Sequence, residues 1–255
     1  MSERSPKTDI EKFLKQALFN TIESLPTYPG YPEIRLTADD PVVAPQLATG
    51  GITRLPEGPW DAGYKKLKQQ LSDDERRLLA MQGYTFDVHG RPLHPWLAEM
   101  LSNPKVGVVT GTGEYWSMGP NRTADPIIIA TEDQPYVFLV RRNDNGLWAF
   151  PGGFIDPGET ADEAGRREAF EEGGITVGEP EAVLYDGVVA DTRTTAYAWA
   201  ETTALLYKVP RRMAPLIDPA EVSGAGWFPL SGIENTLHGS HGVLLREIHA
   251  YGIPE

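Results

Sequence analysis

A chain of 255 residues with 40% hydrophobic side chains is long enough for one large domain or two small ones. Its formal net charge of −13 disfavours nucleic acid and anionic membranes, so we expect neither as a partner. The absence of cysteine excludes disulfides, thiolate zinc sites and cysteine nucleophiles. The N-terminus is charged throughout, and no stretch approaches the ~20 apolar residues of a membrane span. We therefore expect a cytoplasmic protein, with a monomer slightly favoured over an oligomer.

The first part of the chain is predicted to be helical and rich in loops. Apolar residues from Ile10 to Ile22 recur at helical spacing, which predicts an amphipathic helix that ends at Pro26. Frequent prolines and glycines then predict a winding segment. Two more helices are predicted, one over Trp60–Gln70 and one after Ser72, where Ser72 and Glu75 have capping-box spacing. The stretch YTFDVHGRPLHPW predicts a short strand and a turn.

From Asp125 onward the pattern changes to β-rich runs separated by turns. One helical pattern, about Thr160 to Gly173, interrupts these runs, and another, around Gly242 to Tyr251, closes the chain. Such mixing predicts an α/β domain. We place the boundary in the turn-rich stretch between residues 100 and 125, which gives an N-terminal region of 1–110 and a second domain of 111–255.

The stretch GGFIDPGETADEAGRREAFEEGGI concentrates negative charge, because seven acids from Asp156 to Glu172 face only two arginines. On a helix, Glu168, Glu171 and Glu172 stand at positions i, i+3 and i+4 and project from one face. Like charges at this spacing destabilise a helix unless a counter-ion binds, and Mg²⁺ binds through carboxylates together with substrate phosphates. The alternative is a solvated acidic helix with ordinary capping.

The glycines ahead of this helix suit a metal and phosphate site. Gly152 and Gly153 let the backbone approach a ligand closely and turn carbonyl groups toward a metal ion. Glu159 and Arg167 have a separate predicted role, because a pair between loop and helix would hold the metal ligands in place.

This pattern resembles the Nudix box GX5EX7REUXEEXGU, in which U is apolar, and it matches at every fixed position. The resemblance implies an α/β Nudix fold, a mixed β-sheet sandwiched between helices, preceded here by the mixed, loop-rich N-terminal region. It also implies a pyrophosphohydrolase that uses Mg²⁺ or Mn²⁺, held by Glu168, Glu171, Glu172 and the carbonyl of Gly153. These glutamates would be catalytic, and the general base is either one of them or an acid on a distant loop.

Further motifs are similar to those of mitochondrial-type ADP-ribose pyrophosphatases and of the ADP-ribose-sensing tail domains of melastatin-type channels. They are YTFDVHGRPLHP, WSMGPNRTADPI, LWAFPGGFIDPGE, DTRTTAYAW and LHGSH, and the likeness extends weakly to Tyr28, Pro29 and Gly30. Trp199 we expect to be a core residue. Including Gly152 from the glycine pair, the candidate substrate-binding residues are Trp116, Asn121, Asp125, Gly152, Asp191, Arg193 and His241.

The leading hypothesis is Mg²⁺-dependent hydrolysis of ADP-ribose, a small-molecule substrate, to AMP and ribose 5-phosphate, with the N-terminal region forming one wall of the pocket. Two alternatives stay open. One is hydrolysis of another nucleoside diphosphate derivative, such as an ADP-sugar, NADH or a dinucleoside polyphosphate, and the other is a non-catalytic ADP-ribose sensor. Ala196 and Tyr197 stand where the family often has an acid and an amide, which bears on the ribose and adenine contacts.

Overall fold

The computed structural model describes residues 6–24, 31–63, 71–103, 105–132, 134–231, 233 and 237–253. The chain divides into two compact units. Unit 1 comprises residues 1–14, 122–189 and 201–255, and unit 2 comprises residues 15–121 and 190–200. No helix within these described ranges is both long enough and apolar enough to cross a bilayer. The predicted boundary at residue 110 is a sequence-based division and stays a prediction.

The first helix, α1, spans Pro6–Ser24 as its periodicity predicts. Ile10, Leu14 and Leu18 form its buried face, whereas Phe13 is exposed. The residues Pro26 and Tyr28 to Gly30, which entered the sequence-based predictions, lie outside the described part of the chain. The amphipathic pattern therefore identified this element correctly.

Unit 2 contains three short helices and a two-stranded parallel sheet. The predicted capping box is present, since the Ser72 hydroxyl accepts the Glu75 N–H and the Glu75 carboxylate accepts the Ser72 N–H. The sequence did not predict α2 (Ala44–Thr49) in the winding segment, α4 (Leu97–Ser102) after LHPW, or β2 (Thr110–Gly113) in the turn-rich stretch. The elements are α2 (Ala44–Thr49), β1 (Asp61–Gly63), α3 (Asp73–Met81), α4 (Leu97–Ser102) and β2 (Thr110–Gly113).

The prediction of a helix over Trp60–Gln70 is wrong at its start. Asp61–Gly63 is strand β1, which pairs in parallel with β2; the remainder, residues 64–70, is not described. The two strands approach each other closely, since a Cβ on Gly111 would overlap the carbonyl group of Ala62. Helical spacing alone does not report a pairing partner about fifty residues further along the chain.

A buried acid organises the HGRP turn of unit 2. One carboxylate oxygen of Asp87 accepts the N–H groups of His89 and Arg91, each at 2.9 Å. The other oxygen accepts Arg91 Nε at 2.7 Å and the Tyr197 hydroxyl at 3.1 Å, and the Arg91 guanidinium lies 4.3 Å from the centre of the Tyr197 ring. Gly90 adopts φ of 74°, which favours glycine in this turn.

Unit 1 is built on a seven-stranded sheet in the order β5-β4-β3-β8-β7, with β6 paired to β3 and β9 paired to β4. The β3–β4, β4–β5, β4–β9 and β7–β8 pairs are antiparallel. The strands are β3 (Gly119–Thr131), β4 (Pro135–Arg142), β5 (Trp148–Ala149), β6 (Gly153–Phe154), β7 (Ala182–Val188), β8 (Ala198–Val209) and β9 (Val222–Pro229). Two helices complete this part, α5 (Ala161–Gly173) and α6 (His241–Ala250), and the predicted α/β class is confirmed.

Helix α5 packs closely on the sheet because its inner face carries small residues. Ala164 and Ala169 are fully buried. A Cβ on Gly165 would lie 3.0 Å from the Tyr207 hydroxyl, and one on Gly173 would overlap the Phe138 ring. This close packing fixes the helix that carries the acidic face.

We expect Gly173→Ala to destabilise the fold by about 1–3 kcal/mol, since the added methyl group has to displace the buried Phe138 ring. Urea unfolding followed by circular dichroism measures the change. Gly178→Ala is the matched control, because no atom lies within 4 Å of its added Cβ, and it should stay within about ±0.5 kcal/mol. Equal stabilities of the two variants would contradict the packing described.

Candidate active site

Helix α5 begins and ends with local signals that set the position of its acidic face. Thr160 and Glu163 form a capping box at its start, and Gly174 ends it in the left-handed conformation at φ of 67°. The helix between them places Glu168, Glu171 and Glu172 within two turns.

Two of these three glutamates are shielded from water. Glu168 is 9% exposed, and burial raises its pKa above the usual range. Burial also raises the pKa of Glu172 to about 8; the Gly152 N–H bond opposes this shift, and the Glu168 charge adds to it. Glu171 differs, since about half of its side chain is exposed. The helix therefore holds two desolvated carboxylates whose charges repel each other.

Main-chain atoms of the glycine pair lie directly against these carboxylates. The Gly152 N–H donates to Glu172 Oε2 at 3.0 Å. A Cβ on Gly153 would overlap the Glu168 carboxylate, and one on Gly152 would overlap Asp125 Oδ1. Neither position has room for a side chain, which gives a physical reason for glycine at both.

Arg167 connects the acids of the loop to those of the helix. Its Nε and Nη2 donate to the two oxygens of Glu159 at 3.0 and 2.9 Å, so the pair foreseen from the sequence is present. Nη2 also donates to the Phe154 carbonyl at 3.0 Å, and Nη1 donates to Glu168 at 2.6 Å and Glu171 at 3.2 Å. These bonds lower the pKa of Glu159 and raise that of Arg167. Arg167 thus supplies the positive charge that this face otherwise lacks.

The donor chemistry fits a hard divalent cation. Carboxylate and main-chain oxygens are the ligands that Mg²⁺ and Mn²⁺ prefer, and desolvated acids of raised pKa gain most from a cation beside them. Across the described residues, no three histidine or acidic side chains are already arranged as a metal cluster. Arg167 is bonded to one oxygen of Glu168 and one of Glu171.

Two other predicted site residues of unit 1 lie next to the glycine pair and are held by hydrogen bonds. Asp125 accepts the Thr202 hydroxyl at 2.7 Å, and burial raises its pKa to about 6 against the effect of that bond. His241 Nδ1 accepts the Phe150 N–H at 2.9 Å, and its ring centre is 5.2 Å from that of Phe150. His241 thus bonds the main chain at Phe150, and Asp125 lies against Gly152.

The remaining predicted residues belong to unit 2. Asn121 is buried, and within the described part of the chain its amide bonds only the main chain of Ser117 and Gly119 in its own loop. Asp191 and Arg193 pair with each other, with Nη2 to Oδ2 at 2.6 Å and Nε to Oδ1 at 3.0 Å. Trp116 is 66% exposed. Asn121 thus has a structural role in its loop, while Trp116 presents an aromatic surface to solvent.

Sequence reasoning missed two residues, one in each unit, that bond predicted site residues. Thr202 bonds Asp125, and Tyr31 donates its hydroxyl to the Arg193 carbonyl at 2.6 Å. Alternation along β8 places Thr202 in a strand but names no partner for it. Tyr31 is separated from Arg193 by 162 residues, and no local pattern signals such a contact.

Comparison with known proteins places the chain in a family. Residues 120–248, just over half of the chain, match the model of the NUDIX domain. Nudix hydrolase 6 of Caenorhabditis elegans is 33% identical over 186 residues, covering 66% of this chain and 68% of that protein. The chain therefore belongs to the Nudix family, whose hydrolases generally use divalent metals, and the predicted Nudix fold is confirmed.

Two further relatives are similar over shorter stretches. The mitochondrial ADP-ribose pyrophosphatase of Rattus norvegicus is 30% identical over 152 residues, covering 47% of this chain and 41% of the rat protein. A transient receptor potential cation channel, subfamily M member-like 2, of Nematostella vectensis is 30% identical over 124 residues, which is 37% of this chain and 8% of the channel. The chain is therefore similar to a member of each of the two protein groups that its motifs resemble, the ADP-ribose pyrophosphatases and the melastatin-type channels.

The burial of His241 predicts a pH dependence of stability. Burial lowers its pKa to about 3, against an ordinary value of 6.5, with Arg142 adding to the shift and His238 lying 6.0 Å away. As the pH falls, His241 is therefore protonated in the unfolded chain before it is protonated in the folded chain. The stabilisation is complete above about pH 6.5 and is lost as the pH falls toward 3.

Between pH 7.5 and 5.5, we expect the unfolding free energy of the wild type to fall by about 1 kcal/mol more than that of His241→Asn. The reason is that asparagine can accept the same N–H without titrating. Replacement of the exposed His89 by asparagine is the control and should leave the difference unchanged. An unaltered difference in His241→Asn would show that this imidazole is not buried in its neutral form.

Proposed function

We propose that this Nudix hydrolase cleaves the pyrophosphate bond of ADP-ribose to give AMP and ribose 5-phosphate with Mg²⁺. The observation that carries the proposal is the pair of desolvated carboxylates, Glu168 and Glu172, held against the main chain of Gly152 and Gly153. The named activity of the rat relative and the DTRTTAYAW motif favour ADP-ribose among nucleoside diphosphates. A cytoplasmic location and a monomeric state are proposed with it on the grounds of sequence.

In this mechanism, Glu168, Glu171, Glu172 and the Gly153 carbonyl would hold the cation. A bound divalent ion lowers the pKa of water and neutralises charge on the transferred phosphoryl group. The chain's own contribution is positioning. Arg167 fixes the helix to the loop through Glu159, and the Gly152 N–H fixes one oxygen of Glu172. His241 holds the Phe150 N–H two residues before the glycine pair.

Two alternatives have support of their own. Sequence features outside the box choose the group attached to the nucleoside diphosphate, so an ADP-sugar, NADH or a dinucleoside polyphosphate is the first alternative. The likeness to part of a cation channel supports the second, a non-catalytic ADP-ribose sensor. All three box glutamates are present, which favours hydrolysis over sensing.

The deciding experiment is a hydrolysis screen over ADP-ribose, ADP-glucose, NADH and diadenosine tetraphosphate, with products identified and Mg²⁺, Mn²⁺ or EDTA present. We expect AMP and ribose 5-phosphate from ADP-ribose with a divalent cation, and none with EDTA. Faster cleavage of another compound would replace the substrate assignment. Thermal stabilisation by ADP-ribose without release of AMP would identify a sensor.

Glu168→Gln and Glu172→Gln should each lower turnover by at least about a hundredfold, because each removes a charged cation ligand while preserving the side-chain shape. Steady-state rates at saturating Mg²⁺ measure the effect. Glu179→Gln is the matched control, since Glu179 is largely exposed and pairs only with Arg166 among the described residues. Near-native turnover in either box variant would show that the residue is not a ligand.

Arg193→Ala should lower kcat/KM for ADP-ribose about ten- to hundredfold, because a charge-assisted contact to the substrate is worth about 1.5–3 kcal/mol. The measurement compares ADP-ribose with ADP-glucose, which lacks the free terminal ribose. A loss only for ADP-ribose would place the guanidinium at the terminal ribose, and an equal loss for both would place it at the pyrophosphate. Unchanged values for both would exclude Arg193 from the binding site.

A further inference from the structure

The loop that carries Arg193 is attached to unit 2 by contacts of its main chain as well as its side chain. The side chain bonds Asp191, and its guanidinium carbon lies 5.3 Å from the centre of the Tyr115 ring. Two main-chain carbonyls face the rest of the unit: Ala196 accepts the His94 N–H at 2.9 Å, and Arg193 accepts the Tyr31 hydroxyl at 2.6 Å. Two bonds hold the backbone of Arg193 itself: its N–H donates to Asp191 Oδ1 at 2.8 Å, and its carbonyl accepts the Tyr31 hydroxyl.

The packing around Tyr31 holds its side chain in a fixed position. Its side chain is buried in a small apolar cluster with Ala62 and Val109. Its hydroxyl lies against the backbone of Gly113, where an added Cβ would overlap the oxygen and lie 3.1 Å from the ring carbon that bears it. Gly113 has φ of 56°, so glycine is favoured there for its conformation as well. The Tyr31 hydroxyl that donates to the Arg193 carbonyl is therefore held against the end of β2.

The same strand holds the loop at a second point. The Thr195 hydroxyl donates to the Gly111 carbonyl at 2.8 Å, two residues along the chain from Arg193. The peptide between Arg193 and Thr194 is bonded on both sides, because the Thr194 N–H donates to the Asp191 carbonyl at 3.1 Å while the Arg193 carbonyl accepts the Tyr31 hydroxyl. Rotation of this peptide would redirect the arginine side chain. The Asp191 carboxylate holds the N–H and the guanidinium of Arg193, and the Tyr31 hydroxyl holds its carbonyl.

We propose that Tyr31 is a positioning residue for substrate selection, which acts by fixing the main chain of Arg193 rather than by touching the substrate. This inference rests on the proposed role of Arg193 in binding ADP-ribose. It gives the N-terminal region a defined part in recognition, through one hydroxyl group.

Tyr31→Phe removes only that hydroxyl and keeps the buried ring. We expect kcat/KM for ADP-ribose to fall about 3- to 10-fold, mainly through KM, as for the loss of one hydrogen bond. In the Arg193→Ala background the same change should have no further effect, because the two residues act as one unit. Hydrogen exchange of amides 193–198 should be faster in Tyr31→Phe than in wild type.

Tyr185→Phe is the matched control. It deletes a hydroxyl that donates to the Val188 carbonyl at the same distance, 2.6 Å, in unit 1. We expect unchanged exchange of amides 193–198 and a kcat/KM within about twofold of wild type. An equal loss in both tyrosine variants would show general loosening and overturn the inference.

Four other outcomes separate this inference from the proposed function. Additive losses in the double variant, or unchanged exchange in Tyr31→Phe, would overturn the inference alone. A loss in Arg193→Ala with none in Tyr31→Phe would also overturn it while the role of Arg193 stands. Failure of the wild-type protein to hydrolyse ADP-ribose would overturn the proposed function, and the inference with it.

Discussion

The desolvation of two neighbouring acids is the constraint on which the rest of unit 1 depends. Glu168 and Glu172 stand one turn apart on α5, and burial raises the pKa of both. Burying like charges together opposes folding unless other groups compensate. The capping box, the tight packing of Ala164 and Ala169 on the sheet and the hydrogen bonds of Arg167 keep the helix in place despite that cost. A bound cation would relieve this repulsion, which is the physical reason for the proposed metal site.

Arg167 reduces the repulsion without removing the site. It makes two bonds to Glu159 and single bonds to Glu168 and Glu171, while Glu172 bonds the Gly152 N–H instead. The arginine is thus anchored on the loop side and shares its remaining N–H groups with the helix. A cation that took over the helix carboxylates would leave the anchoring pair with Glu159 intact. The pair can therefore keep loop and helix together whether or not those carboxylates bind a cation.

The sequence predicted the parts of the fold that local patterns specify. The β-rich runs predicted from Asp125 onward correspond to strands that include β4, β7, β8 and β9, and the helical pattern from about Thr160 to Gly173 corresponds to α5. Its errors occurred where distant contacts override local preference. The segment at Asp61–Gly63 pairs with β2, and β3 begins at Gly119, seven residues before the apolar run from Pro126 to Thr131. Short helices such as α2 and α4 have too few turns to show a period.

Residue types alone also did not show which predicted contact residues already have hydrogen-bond partners within the protein. Asn121 and Asp125 have the polar groups expected of substrate contacts, yet Asn121 bonds its own loop and Asp125 bonds Thr202 beside Gly152. A buried group that already has its hydrogen-bond partners gains little from a ligand, because a new bond replaces an existing one. Trp116 is different, since two thirds of its surface is exposed and an aromatic face suits stacking on a base. Among the predicted contacts in unit 2, Trp116 therefore differs from Asn121 and from the Asp191–Arg193 pair, whose polar groups already bond one another or their own loop.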